Sequence, residues 1–144
     1  MNYLLDTNII SELISKQPDQ AVIDWIDQLD PRAVFISVIT VGEIRKGIEK
    51  LPLSERRERM RMWLENDLLI RFAGNIALIT TDVMLTWGAL VGRLENEGKP
   101  MPAIDSLIAA IVLQGNYVLV TRNDEDFKHT GIPIINPWKL ESHP

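Results

Sequence analysis

The chain has 144 residues, of which 46% are hydrophobic and 24% charged; this composition is typical of one folded domain and excludes an intrinsically disordered protein. Its net charge of −5 argues against the uniformly basic surface of many DNA-binding proteins, while the absence of Cys and the presence of only two His argue against disulfides, zinc sites and Ser-His-Asp triads. The sequence contains no apolar run long enough to span a membrane and no basic secretory signal, so we expect a cytoplasmic protein.

The first half of the sequence predicts two strands and four helices. A short apolar strand over 2–5 is followed by Asp6-Thr7-Asn8, residue types that begin helices. The next predicted elements are a helix opened by Pro18 and ending near Pro31, a strand over 33–36, a helix over 40–51 and a charged helix from Ser54 to about Phe72. The last two helices form a predicted protruding arm whose apolar stripe consists of Met60, Trp63, Leu64 and Leu68.

The second half continues the alternation of strands and helices. It predicts a strand over 76–79, a helix capped by Thr80 or Thr81, an apolar helix over 103–113 with Pro102 in its first turn, a strand over 117–121, a turn over 124–127 and a short strand over 133–135. Strands separated by helices pair in parallel through right-handed crossovers. We therefore predict an α/β fold, a three-layer α/β/α sandwich with a central, mainly parallel sheet. A single domain is expected over 1–140, with a polar tail over 141–144.

Acidic residues are predicted to gather at one edge of this sheet. Ligands of parallel sheets bind beyond the carboxyl ends of the strands, and the acids expected there are Asp6, Glu43, Asp105, Asp124 and Asp126. Several carboxylates without histidine or cysteine suit an oxygen-seeking ion such as Mg²⁺ or Mn²⁺. The pattern favours phosphoryl-transfer chemistry.

Each of these acids also has a purely structural interpretation. Thr40 and Glu43 have the spacing of a capping box, and Asp105 lies at the positive end of its predicted helix. Asp6 resembles a helix cap, while Asp124 and Asp126 occur where turns often contain Asp. Their shared position at one sheet edge favours the functional interpretation.

Five segments, in this order and spacing, resemble the PIN-domain ribonucleases and, among these, the VapC-type toxins of bacterial toxin–antitoxin pairs. They are LLDTNII at 4–10, SVITVGE at 37–43, PAIDSLIA at 102–109, VTRNDEDF at 120–127 and INPW at 135–138. The resemblance covers nearly the whole chain. It implies a PIN-like fold and a metal-dependent endoribonuclease.

The resemblance also assigns roles to individual residues. Asp6, Glu43 and Asp105 fall on the family's metal-binding acids, Thr7 and Asn8 would support Asp6, and Thr121 would hold a metal-bound water. A further acid is common in the family at the position of Asn123, so Asp124 or Asp126 would replace it, or the site would contain three acids. The catalytic set predicted here is Asp6, Glu43, Asp105 and Asp124.

The resemblance further implies an RNA substrate, a homodimer and a cognate antitoxin whose segment folds on the arm, with DNA bound only through that antitoxin. The competing hypothesis is a catalytically silent PIN module that acts by binding protein or RNA. A dinucleotide-binding domain is excluded because no glycine-rich turn follows the first strand. The arm stripe could instead pack on the domain's own core, and the Arg56–Arg61 run could be a solvated helix face.

Overall fold

The computed structural model describes residues 1–140, so the predicted tail over 141–144 lies outside the described residues. Its centre is a five-stranded sheet in the order β3-β2-β1-β4-β5, in which every pairing is parallel. The strands are β1 (Asn2–Leu5), β2 (Val34–Ser37), β3 (Ile76–Ala77), β4 (Tyr117–Val120) and β5 (Ile134–Ile135). The predicted parallel sheet is confirmed.

Helices cover both faces of the sheet. They are α1 (Thr7–Leu13), α2 (Gln20–Asp27), α3 (Val38–Glu49), α4 (Glu55–Trp63), α5 (Leu69–Arg71), α6 (Thr81–Asn96) and α7 (Ala103–Gly115). Leu4 packs in one hydrophobic cluster with α6 and α7, while its neighbour Leu5 packs in the other with α1, α2 and the helices of the arm. Because successive strand residues point to opposite faces, the apolar β1 supplies both cores. The predicted three-layer α/β/α sandwich is confirmed.

Two helices begin at other residues than the sequence pattern indicated. The α2 helix begins at Gln20 because the Asp19 carboxylate caps it, accepting the Ala21 N–H at 2.9 Å. The α3 helix begins at Val38 because the Ser37 hydroxyl accepts the Thr40 N–H at 3.2 Å. The Thr40–Glu43 capping box is therefore wrong, and Glu43 lies on a solvent-exposed surface of α3.

The arm consists of α3 and a second helix that is interrupted by a π-helical segment. Ser54 caps α4 as predicted, and the π-helical residues Leu64–Leu68 join α4 to α5. Leu64 and Leu68 are buried in the core cluster beneath β1, and Met60 and Trp63 pack against that cluster. The stripe predicted to receive a partner is therefore largely part of the domain's own core.

Within residues 1–140, no helix combines the length and the apolar character that crossing a membrane would require.

Candidate active site

The topology brings the carboxyl ends of β1, β2 and β4 to one edge of the sheet. The chain runs outward from β1 to β3 on one side and returns through β4 and β5 on the other. The order therefore reverses between β1 and β4, which is where parallel sheets form ligand crevices. Asp6 lies at this point, and its N–H donates to the Val120 carbonyl at 2.9 Å.

Asp6 is a buried carboxylate that is held from several sides. Its Oδ1 accepts the Thr7 N–H at 2.8 Å, and its Oδ2 accepts the Thr121 hydroxyl at 2.9 Å and the Asn8 amide at 3.3 Å. Only 8% of the residue is exposed. Burial raises the pKa of Asp6 above its ordinary value, and these hydrogen bonds only partly offset that effect. The carboxylate is thus fixed in orientation while its charge is incompletely compensated.

Thr121 and Asn8 form the support for Asp6. The Thr121 hydroxyl donates to Asp6 and accepts the Asn8 amide at 3.2 Å and the Asn123 N–H at 3.0 Å. These three hydrogen bonds engage the single proton and both lone pairs of the Thr121 hydroxyl. In this arrangement Thr121 positions Asp6, and the contact with a metal-bound water expected from the resemblance stays a prediction. Asn123 contributes through its backbone.

A chain of two hydroxyls leads to Glu43. The Thr7 hydroxyl donates to Glu43 Oε1 at 2.7 Å and lies 2.9 Å from the hydroxyl of Thr40, which is only 1% exposed. Because Thr7 has one hydroxyl proton, Thr40 is the donor in the second contact. Thr40 therefore orients Glu43 through Thr7. Sequence reasoning missed this role, although a spacing of three residues on a helix places Thr40 and Glu43 on the same side.

Asp105 and Asp126 face an open cavity. The cavity has a volume of about 500 Å³ and is lined by Gly98, Lys99, Pro100, Met101, Pro102, Asp105, Asp126 and His129. Burial, followed by the negative charges of Asp126, Asp6 and Glu43, raises the pKa of Asp105. Among residues 1–140, no hydrogen bond or salt bridge compensates the Asp105 carboxylate. These four acids therefore share one region of negative potential.

Asp124 has a different environment from the other predicted acids. Its carboxylate accepts the Asn136 amide at 3.0 Å and the Lys139 ammonium at 3.2 Å. The Asn136 hydrogen bond, followed by Lys139, lowers the pKa of Asp124. The structure thus ties Asp124 to the INPW segment and places Asp126 in the cavity with Asp105.

Most of the basic run in the arm is neutralised locally. Arg57 pairs with Glu49, Arg59 with Glu55, and Arg61 with both Glu58 and Glu65. The interpretation as a solvated helix face fits Arg59 and Arg61, whereas the Arg57 side chain is only 22% exposed and also donates to the Ile48 carbonyl at 3.3 Å. Arg56 instead lines a cavity of about 240 Å³ together with Thr7 and Glu43.

The chemistry of the acids fits a hard divalent cation. The acids supply carboxylate oxygens, which such a cation prefers, and within residues 1–140 the Asp105 and Asp126 carboxylates line the cavity without a hydrogen-bond or salt-bridge partner. In the same residues, no three acidic or histidine side chains lie close enough to form a ready-made metal centre.

Comparison with known proteins agrees with the fold. The family model described as PIN domain matches residues 3–133. The chain belongs to the PIN domain family. VapC ribonuclease Y4jK of Sinorhizobium fredii is 35% identical over 136 residues, which cover 94% of this chain and 97% of that protein. Toxin FitB of Neisseria gonorrhoeae is 33% identical over 135 residues, which cover 94% of this chain and 97% of that protein.

Solved structures of toxin–antitoxin proteins have the same fold as this PIN domain. A chain in the crystal structure of FitAcB from Neisseria gonorrhoeae superposes with a TM-score of 0.91 and 33% identity, covering 96% of this chain and 99% of that one. A chain in the structure of VapBC2 from Rickettsia felis, bound to a promoter DNA fragment, superposes with a TM-score of 0.78 and 28% identity. The match covers 94% of this chain and 98% of that one. The family resemblance found in the sequence is confirmed.

Proposed function

We propose that this PIN domain is a divalent-metal-dependent endoribonuclease, the toxin of a VapBC-type toxin–antitoxin pair. The observation that carries the proposal is the convergence of Asp6, Glu43, Asp105 and Asp126 on one region of negative potential. The relatives described above that are named ribonucleases and toxins support it. The substrate is RNA, and hydrolysis leaves a 5′-phosphate and a 3′-hydroxyl.

Some residues of the site would hold the ion, and others keep these ligands in position. Asp6, Asp105 and Glu43 would hold Mg²⁺ or Mn²⁺, and Asp126 adds a fourth carboxylate beside Asp105. When bound, such an ion neutralises phosphate charge and makes a bound water more acidic. The hydrogen bonds from Thr121 and Asn8 keep Asp6 in one orientation, so little reorganisation is needed when the substrate arrives.

The arm offers a binding site for the cognate antitoxin beside these acids. The cavity next to Glu43 is lined by apolar residues of α1, α3 and α4, which are Ile10, Ile14, Ile44, Ile48, Leu51 and Met60. An amphipathic segment can bury its apolar side in such a cavity. An arginine at its end would then reach the carboxylates as a bidentate partner. Binding to DNA would occur through the antitoxin, as the VapBC2–DNA complex suggests by analogy.

The metal assignment predicts that Asp6→Asn and Asp105→Asn each reduce RNA cleavage by at least about 100-fold, because each removes a charged ligand from the site. The measurement is cleavage of a labelled RNA by purified protein with Mg²⁺ or Mn²⁺, together with a circular-dichroism spectrum to establish that the fold is intact. Asp24→Asn, on the exposed surface of α2, is the matched control and should retain wild-type activity.

A variant of Asp6 or Asp105 that cleaves at the wild-type rate contradicts this assignment.

The second candidate function is a catalytically silent PIN module that binds protein or RNA. It is favoured by the absence, within residues 1–140, of a ready-made three-ligand centre. It predicts that the wild-type protein leaves RNA intact at every divalent-ion concentration while still binding its partner.

A further inference from the structure

Lys99 and His129 lie on the wall of the acidic cavity that holds Asp105 and Asp126. Lys99 belongs to the loop between α6 and α7, and His129 to the loop that follows Asp126. Among residues 1–140, the Lys99 ammonium forms no salt bridge, although two carboxylates line the same cavity. An unpaired cation therefore faces the space in front of the acids.

Both loops are anchored by the fold, which limits the reach of the two side chains. The Lys99 N–H donates to the Leu94 carbonyl at 2.8 Å, and Pro100 follows directly and restricts the Lys99 backbone. The residue after His129, Thr130, is buried and donates its hydroxyl to the Phe127 carbonyl at 2.6 Å. The two side chains are thus presented from fixed positions on opposite loops.

The positive charge of Lys99 makes this wall of the cavity suitable for binding a phosphate group. The four acids create a negative region that repels RNA phosphates, so a substrate strand needs cationic contacts next to them. A lysine ammonium is a common partner for phosphate, and an imidazole N–H can donate to a phosphate oxygen. We propose that Lys99, assisted by His129, binds a backbone phosphate of single-stranded RNA adjacent to the one that is cleaved. This inference rests on the proposed ribonuclease function and adds a substrate-binding subsite to it.

The test separates binding from cleavage. Binding of a fluorescein-labelled single-stranded RNA is measured by anisotropy in EDTA, where metal-dependent cleavage cannot proceed. Lys99→Met is expected to weaken binding about fivefold at 0.1 M salt and to lower the slope of log K against log salt by about 0.7, the value for one phosphate contact on a single strand. Lys99→Arg should restore most of the affinity, and His129→Gln should weaken binding about twofold.

Lys128→Met is the matched control, because Lys128 precedes His129 in the chain, pairs with Glu125 and does not line the cavity. In the cleavage reaction, Lys99→Met should raise KM about fivefold with a smaller change in kcat. Unchanged binding by Lys99→Met, or an equal loss in Lys128→Met, overturns the subsite. If the wild type binds RNA through Lys99 but never cleaves it with divalent ions, the proposed function fails and the subsite stands.

Discussion

Asp6 and Asp105 carry like charges at the same edge of the sheet, but the protein compensates them differently. Asp6 accepts three hydrogen bonds from Thr7, Asn8 and Thr121. Asp105 accepts none among residues 1–140, and its pKa is raised first by burial and then by three neighbouring acids. Asp105 therefore has no hydrogen bond to offset the effects of burial and of the neighbouring negative charges in the metal-free protein.

This difference predicts that Asp105→Asn stabilises the metal-free protein at pH 7. Asp105 has a pKa in the folded protein that lies above its unfolded value of 3.8. The folded protein therefore loses stability as the pH rises from the unfolded-state pKa through the folded-state pKa, because the carboxyl then ionises in an unfavourable environment. The amide of Asn at this position cannot ionise, so the variant avoids this loss. We expect the melting temperature to rise by about 1–3 °C, because solvent screens this half-exposed site. The gain should disappear below pH 3.8, where the carboxyl is protonated in both the folded and the unfolded wild-type protein.

In wild type, millimolar Mn²⁺ should raise the melting temperature by about 3–6 °C if the concentration of the ion is tenfold above its Kd.

Thermal melts of wild type and Asp105→Asn, with EDTA and with Mn²⁺ at several pH values, check this prediction. Asp24→Asn controls for the loss of a surface charge. An equal response of both proteins to Mn²⁺ would indicate a general salt effect and argue against a metal held by Asp105.

At the scale of elements, the arm helix has two surfaces with different roles. Leu64 and Leu68 of its π-helical segment are 3% and 5% exposed and belong to the core. Ile14, which follows α1, is 42% exposed and lines two cavities along the arm, the one beside Glu43 and a second of about 160 Å³ that Trp63 and Leu68 also line. The partner-binding surface that we propose lies between α1 and the arm and includes Met60, whereas Leu64 and Leu68 of the predicted stripe hold the arm to the domain.

Two substitutions separate these surfaces. Ile14→Lys should weaken capture of the cognate antitoxin at least tenfold while the melting temperature stays near wild type, because an exposed apolar contact is lost and no core residue changes. Leu64→Ala should instead lower the free energy of unfolding by about 2–5 kcal/mol, because it leaves a cavity in the core. Titration of purified antitoxin, together with urea unfolding, measures both effects.

Loss of stability in Ile14→Lys, with no loss in Leu64→Ala, would reverse this assignment of surfaces. Leu53→Lys serves as the control, since Leu53 is 87% exposed and lines neither of the two cavities along the arm.

At the scale of the whole molecule, several large apolar side chains are exposed beside the edge strand β3. The acids gather at the carboxyl edge of the sheet, while exposed apolar side chains follow β3 and enter α6, namely Leu78, Ile79, Met84 and Leu85. Exposed apolar patches often mark protein interfaces. This surface is the one we assign to the homodimer predicted from the family resemblance.

The dimer prediction is tested by Leu85→Glu, which places a charge on a side chain that is 69% exposed. Wild type should sediment at about twice 16.4 kDa, and Leu85→Glu should shift the dimer Kd upward by at least about tenfold, since a buried, unpaired charge is unfavourable. Sedimentation velocity over a range of protein concentrations measures the shift. A monomeric wild type, or a Leu53→Glu variant that dissociates equally, would contradict this interface.

The sequence alone was sufficient for the fold and for placing the candidate acids at one edge of the sheet. Short apolar strands separated by amphipathic helices allow little except a parallel sheet covered on both faces. Parallel strands place their carboxyl ends at one edge, so Asp6, Glu43 and Asp105 could be assigned to one region before any contact was known. These predictions depend on local periodicity and topology, which one-dimensional patterns contain.

Only the tertiary structure decided which partner each side chain meets. Asp124 and Asp126 are equivalent in sequence, yet Asn136 and Lys139 engage the first and leave the second in the cavity with Asp105. Thr40 looked like a helix cap until Ser37 was found to occupy that role. For Leu64 the sequence allowed either an exposed stripe or the core, and its burial places it in the core. Each outcome depends on contacts between residues far apart in the chain, and local sequence patterns do not contain that information.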